Sequence, residues 1–139
     1  MKAIILYATK SGAARECADL LADKLWNCPA HDLSRPVPDL NGFDAVIIGT
    51  GVRMGKIYKP AQRFLQQTIS LLLTKKVAVY FCNAYPDTFQ KTVEKNISQE
   101  LIEHAVCIKS FGGRPPFTKA PMKEWLHEDE VRQFLDYVF

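Results

Sequence analysis

The sequence predicts an α/β fold in which a parallel sheet carries helices on both faces. Three observations lead there: four short runs that are almost wholly apolar, amphipathic stretches between them with a four-residue apolar repeat, and alternation of the two kinds along the chain of 139 residues. Strands covered on both faces read as continuous apolar runs instead of alternating ones. Strand–helix alternation with right-handed crossovers then gives a layered parallel sheet.

The elements follow in order. Ala3 to Ala8 is the first strand, and Cys17, Leu21 and Leu25 recur every four residues as the stripe of a first helix. Ala30 to Leu33 is a short fifth strand candidate. From Asp32 to Asp44, Pro36, Pro38 and the Asn41-Gly42 pair argue for an extended loop in place of a full helix. Ala45 to Gly49 is the second long strand; Pro60 suits the first turn of a helix whose Ala61, Phe64, Leu65 and Leu72 share a face. Val77 to Cys82 is the third. Asp87 and Gln90 form a reciprocal capping pair for a helix carrying Phe89, Val93, Ile97 and Leu101 on one stripe. Val106 to Phe111 is the last long strand, and Pro121 precedes a closing amphipathic segment with Trp125, Val131, Leu135 and Val138.

Bulk properties narrow the function. A chain of this length, 47% hydrophobic and 24% charged, is expected to fold as a single domain over 1–139 without staples. The net charge of +3 is spread along the chain, so nucleic-acid binding is not expected. Cys17, Cys28, Cys82 and Cys107 contain no C-x-x-C pair, and His31, His104 and His127 are dispersed, which predicts reduced thiols and no metal site or triad. Met1-Lys2 leads straight into a strand with no cleavage-site pattern, and no apolar run nears the ~20 residues of a membrane span. A soluble cytoplasmic protein is the expectation.

In an open parallel sheet, ligands bind outside the carboxyl ends of the strands. The first segment to leave a strand in that direction is Thr9-Lys10-Ser11-Gly12-Ala13-Ala14. Two hydroxyls, a glycine and small side chains let successive main-chain N–H groups wrap a phosphate at the positive end of a helix dipole. An ordinary turn using Gly12 for conformation and Ser11 as a cap has the same composition.

Thr9-x-Ser11-Gly12 after a first strand resembles the phosphate loop of the flavodoxins, Thr or Ser, any residue, Thr, Gly, any residue, Thr. Ala14 stands at the last Thr, which removes one hydroxyl contact and about 1 to 2 kcal/mol of phosphate binding. Gly49-Thr50-Gly51-Val52-Arg53-Met54-Gly55-Lys56-Ile57-Tyr58 follows the second long strand. Its Ile48 to Gly55 run is similar to the Ile-Gly, small residue, Ile-Arg-Tyr-Gly of the flavodoxin-like, menaquinone-dependent protoporphyrinogen dehydrogenases. Met54 occupies the place of their Tyr, so stacking on a flavin falls to Tyr58 or is absent. Gly112-Gly113 resembles the glycine pair that ends their final strand; as a bare sequence feature, Phe111 to Pro116 is a turn breaker.

The resemblance implies a flavodoxin-like three-layer sandwich with a five-stranded parallel sheet in the order 2-1-3-4-5, and FMN as cofactor. It assigns Thr9, Lys10, Ser11, Gly12, Ala13 and Ala14 to the phosphate and Thr50, Gly51, Val52, Arg53, Met54, Gly55 and Tyr58 to one ring edge. Asn83, Ala84 and Tyr85, which leave the third long strand, would cover the ring and meet its polar pyrimidine edge. The implied activity is electron transfer or dehydrogenation of a small substrate through the flavin, with a redox partner protein or a small donor or acceptor, a quinone among them. The chain is shorter than those dehydrogenases and lacks their extra segment near the final strand. Its charge of +3 contrasts with the acidic carriers of the flavodoxin type. Ala14 and Met54 leave open the alternative of a cofactor-free flavodoxin-like protein-interaction module. A phosphorelay receiver needs acidic residues where Thr9 and Gly49 stand, and a cysteine-dependent phosphatase needs a Cys in the first loop, whereas Cys17 lies within the helix.

Overall fold

At the centre of the computed structural model, which describes residues 1–114 and 119–139, lie β1 (Ala3–Ala8), β3 (Ala45–Arg53) and β5 (Lys76–Cys82). β2 (Ala30–Asp32) and β6 (Cys107–Ser110) flank them, giving a parallel sheet in the order β2-β1-β3-β5-β6. Counted along the chain these five parallel strands run 2-1-3-4-5, as the resemblance implied. A two-residue strand, β4 (Lys56–Ile57), pairs antiparallel with the end of β3.

Alternation along the central strands sorts their side chains into two cores. Ile5, Tyr7, Ile47, Tyr80 and Cys82 face α1 (Ala13–Lys24) and α6 (Glu128–Val138), where Cys17, Leu21, Phe111 and Phe134 meet them. Ile4, Leu6, Val46, Ile48, Val79 and Phe81 face α2 (Lys59–Leu72), α3 (Phe89–Asn96) and α4 (Gln99–His104). The second core is largely aliphatic; the first has an aromatic centre, with Tyr80 stacked on Phe111 at 4.8 Å and Phe134 edge-on to both. Each such side chain, fully removed from water, contributes about 1.5–3 kcal/mol before chain entropy is set against it.

Four expectations are corrected. The second long strand does not stop at Gly49: β3 runs on to Arg53 and turns back through Met54-Gly55, whose φ of 54° and 76° make the tight two-residue hairpin that matches strand twist. The Phe89–Leu101 stripe is two helices. Ile97 adopts an extended conformation and the Ser98 hydroxyl accepts the Leu101 N–H at 3.3 Å, starting α4 afresh. The Asp87–Gln90 pair does not form; Pro86–Thr88 is a 3₁₀ turn, and Gln90 donates to Glu94. The closing segment is likewise broken, into α5 (Met122–Trp125) and α6, because the His127 N–H turns aside to the Phe111 carbonyl at 2.9 Å. The stretch after β2 is the expected loop, held by Asx turns at Asp32 and Asp39.

Candidate functional site

Parallel register places the carboxyl ends of β1, β3 and β5 side by side, with Ala8 opposite Thr50 and Gly51 opposite Cys82. The three predicted loops therefore emerge along one edge of the sheet.

In the first, Gly12 has φ +93° and is the N-cap of α1. Its N–H donates to Thr9 Oγ1 at 2.9 Å and its carbonyl accepts from Glu16 N–H at 2.9 Å. The first-turn N–H groups of Ala13, Ala14 and Arg15 have no acceptor among the described residues. These unpartnered N–H groups form a main-chain donor cup at a helix N-terminus, beside the Gly12 N–H that the Thr9 hydroxyl oxygen holds. Lys10 and Ser11 are exposed, whereas Ala13 and Ala14 have their methyl groups in the core and offer main-chain donors alone. Ser11 does not cap the helix; Gly12 does so, without a side chain. The Ala14 carbonyl accepts the buried Tyr80 hydroxyl at 2.8 Å.

The glycines of the second loop serve the protein itself. A Cβ on Gly49 would lie 1.9 Å from the Tyr80 ring, and one on Gly51 would lie 2.5 Å from the Tyr58 ring. Thr50 is buried, its hydroxyl donating to the Gly51 carbonyl at 2.9 Å and accepting the Tyr58 N–H at 3.3 Å. Its hydroxyl and the Gly49 and Gly51 faces under those rings are used internally, which leaves main-chain groups as what this segment could offer a ligand. Val52 is partly buried, Arg53 is exposed, and Gly55 offers its carbonyl to Asn96, which also accepts the Ile57 N–H and so ties the hairpin to α3. Met54, at the hairpin tip, is 90% exposed. Tyr58 reaches back toward the first loop, its ring 4.9 Å from Lys10 Nζ. Burial raises the Tyr58 hydroxyl pKa, partly countered by Arg53, while the Cys82 thiol pushes it up further.

In the third loop Asn83 is buried and satisfied: its carbonyl oxygen accepts the Tyr85 N–H at 3.0 Å and its amide donates to Thr88 Oγ1 at 3.3 Å. It shapes the turn and holds Ala84 half-buried, with Tyr85 61% exposed. Behind this loop the Cys82 thiol donates to Cys17 Sγ at 3.6 Å; that bond, then burial, holds Cys82 well above the ordinary thiol range.

Three further residues border the site. Gly113 packs flat on the Asn83–Ala84 main chain, where a Cβ would come within 2.9 Å of the Ala84 nitrogen. Gly112, at φ +82°, leaves no room for a Cβ against the Trp125 carbonyl at 2.2 Å, so the pair is a close-packing device and more than a turn breaker. Pro115 and Pro116 of that segment lie outside the described residues. Arg114 crosses to the first loop: Nη1 donates to the Ser11 carbonyl and Nη2 pairs with Glu16 at 2.5 Å. Arg114 is not among the site residues the sequence predicts; the one local signal for it is a cation directly after the glycine pair, which does not report its destination.

A family model described as Flavodoxin domain matches residues 4–116. The chain belongs to this flavodoxin-domain family. Among curated relatives, protoporphyrinogen IX dehydrogenase [quinone] of Escherichia coli K12 is 29% identical over 90 residues, covering 60% of this chain and 49% of the relative. The chain thus spans about half the length of the curated relatives it matches. Among solved structures, oxidised Flavodoxin 1 of Bacillus cereus superposes with a TM-score of 0.62 at 19% identity, covering 99% and 97% of the two chains. A flavoprotein of Lactobacillus acidophilus, solved in complex with FMN, gives 0.61 at 15% identity over 96% and 98%. At these identities the structural likeness shows the fold. Among the described residues of this flavodoxin-domain chain, no helix is long and apolar enough to cross a membrane.

Proposed function

We propose that this flavodoxin-domain chain, acting as one domain over 1–139, binds FMN and works as a redox protein through it. One observation carries the reading: the donor cup at Gly12 opens on the same sheet edge as two large, solvent-exposed apolar side chains, Met54 and Tyr85, on neighbouring loops. The donor set fits the group. Unpartnered first-turn amides, the αL glycine and the nearby Lys10 and Arg114 cations suit a phosphate dianion. Met54 and Tyr85 are apolar surface that a flat ring would cover.

On this reading the unpartnered main-chain N–H groups of Ala13, Ala14 and Arg15 bind the phosphate beside Gly12, and Lys10 and Arg114 balance its charge. Main-chain groups of Val52 to Gly55 and of Ala84 and Tyr85 meet the ring edge. Thr50 and Asn83 position those loops without touching it. FMN, when bound, supplies one- and two-electron transfer at its ring. No side chain here is required as a general acid or base; the protein's contribution is to orient the ring, exclude water and set local charge. A net charge of +3 and the 29% identity to a quinone-linked dehydrogenase favour oxidation of a small reduced substrate, with a quinone as acceptor, over docking as an acidic carrier.

Purified protein titrated with FMN tests this: the expected result is stoichiometric uptake with quenched flavin fluorescence. Colourless protein that leaves added FMN fluorescent overturns it in favour of a cofactor-free interaction module. The contacts that would support that module are already present, since Thr9 Oγ1 holds the Gly12 N–H and Lys10 lies over Tyr58.

A further inference from the structure

We propose that Arg114 is a positioning residue of the phosphate cup: by holding the Ser11 carbonyl, it keeps that oxygen from turning toward the first-turn donors and makes the site selective for a phosphorylated flavin over an uncharged one. This rests on the FMN reading for its ligand but on the chain's own geometry for its mechanism.

A peptide unit is planar, and its C=O and N–H point in opposite directions. Ser11 C=O and Gly12 N–H belong to the same unit. One end is bound by Arg114 Nη1, and the other donates to Thr9 Oγ1 at 2.9 Å. The next peptide is fixed as well, through the Gly12 carbonyl and the Glu16 N–H. Gly12, with φ +93°, is the residue about which the Ser11–Gly12 unit turns most freely. Were that unit to rotate, the Ser11 carbonyl would face the cup and repel an anion. A cup of main-chain donors is selective when its peptides are held beforehand.

The guanidinium is itself anchored. Its Nε donates to the Ala120 carbonyl at 3.2 Å, Nη2 pairs with Glu16 at 2.5 Å, and the group lies 5.8 Å from the centre of the Trp125 ring. Its side chain is 15% exposed, so the charge is held largely away from water, and its Nη1 lies 3.6 Å from where a Gly12 Cβ would be. Charge and lock reside in one group that the closing segment presents to the first loop.

The test compares FMN with riboflavin, which lacks the phosphate, on the full chain. In Arg114→Met, FMN affinity is expected to fall by about tenfold or more while riboflavin affinity changes less than about twofold, the scale of one lost charge-assisted contact. Equal losses for both ligands, or an unchanged ratio, overturn the proposal. Arg114→Lys should recover part of the ratio through charge, though not the lock. Should Arg114→Met fail to fold, Arg114→Lys carries the comparison: it keeps the charge and loses the guanidinium fork, so its FMN-to-riboflavin ratio is expected to fall a few-fold below that of the parent chain, and an unchanged ratio overturns the proposal. Amide exchange at Gly12 gives a ligand-free reading. Protection in the parent chain and its loss in Arg114→Met, or in Arg114→Lys if the Met variant is unfolded, are expected; equal protection overturns the lock. If the parent chain takes up no FMN, the FMN reading fails by itself, and Gly12 exchange still decides the role of Arg114.

Discussion

The loop after β1 and the hairpin after β3 leave the sheet side by side, and both are rich in small residues, yet they use them in opposite ways. Around Gly12 the nearest atom to an added Cβ is a side-chain nitrogen at 3.6 Å, and the main-chain donors of the first helical turn are unpartnered among the described residues. Around Gly49 and Gly51 the space a Cβ would take is already filled by Tyr80 and Tyr58. Glycine in one place leaves open space beside main-chain donors; in the other it admits the protein's own aromatic rings. Composition cannot separate the two uses. What separates them is whether a distant side chain fills the space of the missing Cβ.

The largest effect that follows is on folding. Gly49→Ala puts a methyl group 1.9 Å from the Tyr80 ring in the centre of the sheet, where the ring is stacked on Phe111 and cannot move without opening the aromatic core. A loss of more than about 3 kcal/mol in denaturant unfolding is expected. A variant within about 1 kcal/mol of the parent would mean that Tyr80 has somewhere else to go, and the contrast between the loops would weaken.

Gly12→Asp is expected to do the reverse. The positive φ costs about 1 kcal/mol for a non-glycine residue, with Asp among the more tolerant, so the fold should survive. A carboxylate beside the cup should cut FMN affinity by about a hundredfold or more, read by fluorescence titration. Retained affinity would move the phosphate elsewhere.

These two glycines also mark what could be read from the sequence. The strands were legible because burial on both faces leaves long apolar runs, as in Ile4-Ile5-Leu6 and Val46-Ile47-Ile48. The end of β3 was not, since Gly49-Thr50-Gly51 looks like loop until Tyr80 and Tyr58 are known to fill the glycines' missing side chains. The first loop announced itself through local order alone, Thr9 to Gly12, because a helix N-terminus is made by adjacent residues. The break at Ile97–Ser98 was hidden by a spacing that keeps Val93, Ile97 and Leu101 buried whether or not the helix continues. Arg114 and Gly113 act on segments far from them in the chain, and no periodicity reports that.

Alkali sharpens the comparison next. Tyr58 and Tyr80 both have hydroxyls whose pKa is raised, chiefly by burial, so each favours the folded state while protonated and stops doing so as pH climbs above 10 toward the folded value. Cys28 and Cys107, pushed up by burial to about 11 from an ordinary 9.0, begin the same loss earlier, across pH 9 to 11. Stability should therefore fall steadily above pH 9. Tyr58→Phe keeps the ring over Gly51 and removes the phenol. It should flatten the part of the decline above pH 10, and an unchanged slope there would show that Tyr58 is not held by the hairpin as described.

The smallest expected effect concerns the residue that touches both regions. Tyr80 fills the space beside Gly49 with its ring, and through its hydroxyl it holds the Ala14 carbonyl in the first turn of α1 at 2.8 Å. Tyr80→Phe leaves the ring and removes the bond, a loss of about 1 kcal/mol for a buried hydrogen bond whose carbonyl still has its helical partner. If the cup is held from outside by Arg114 and the hairpin from inside by its aromatic rings, this variant should lose stability in urea while its FMN affinity stays within about twofold. If affinity falls in proportion to stability, the Ala14 peptide needs Tyr80 as the Ser11 peptide needs Arg114. The two loops would then be one unit whose glycines cannot be assigned separate tasks.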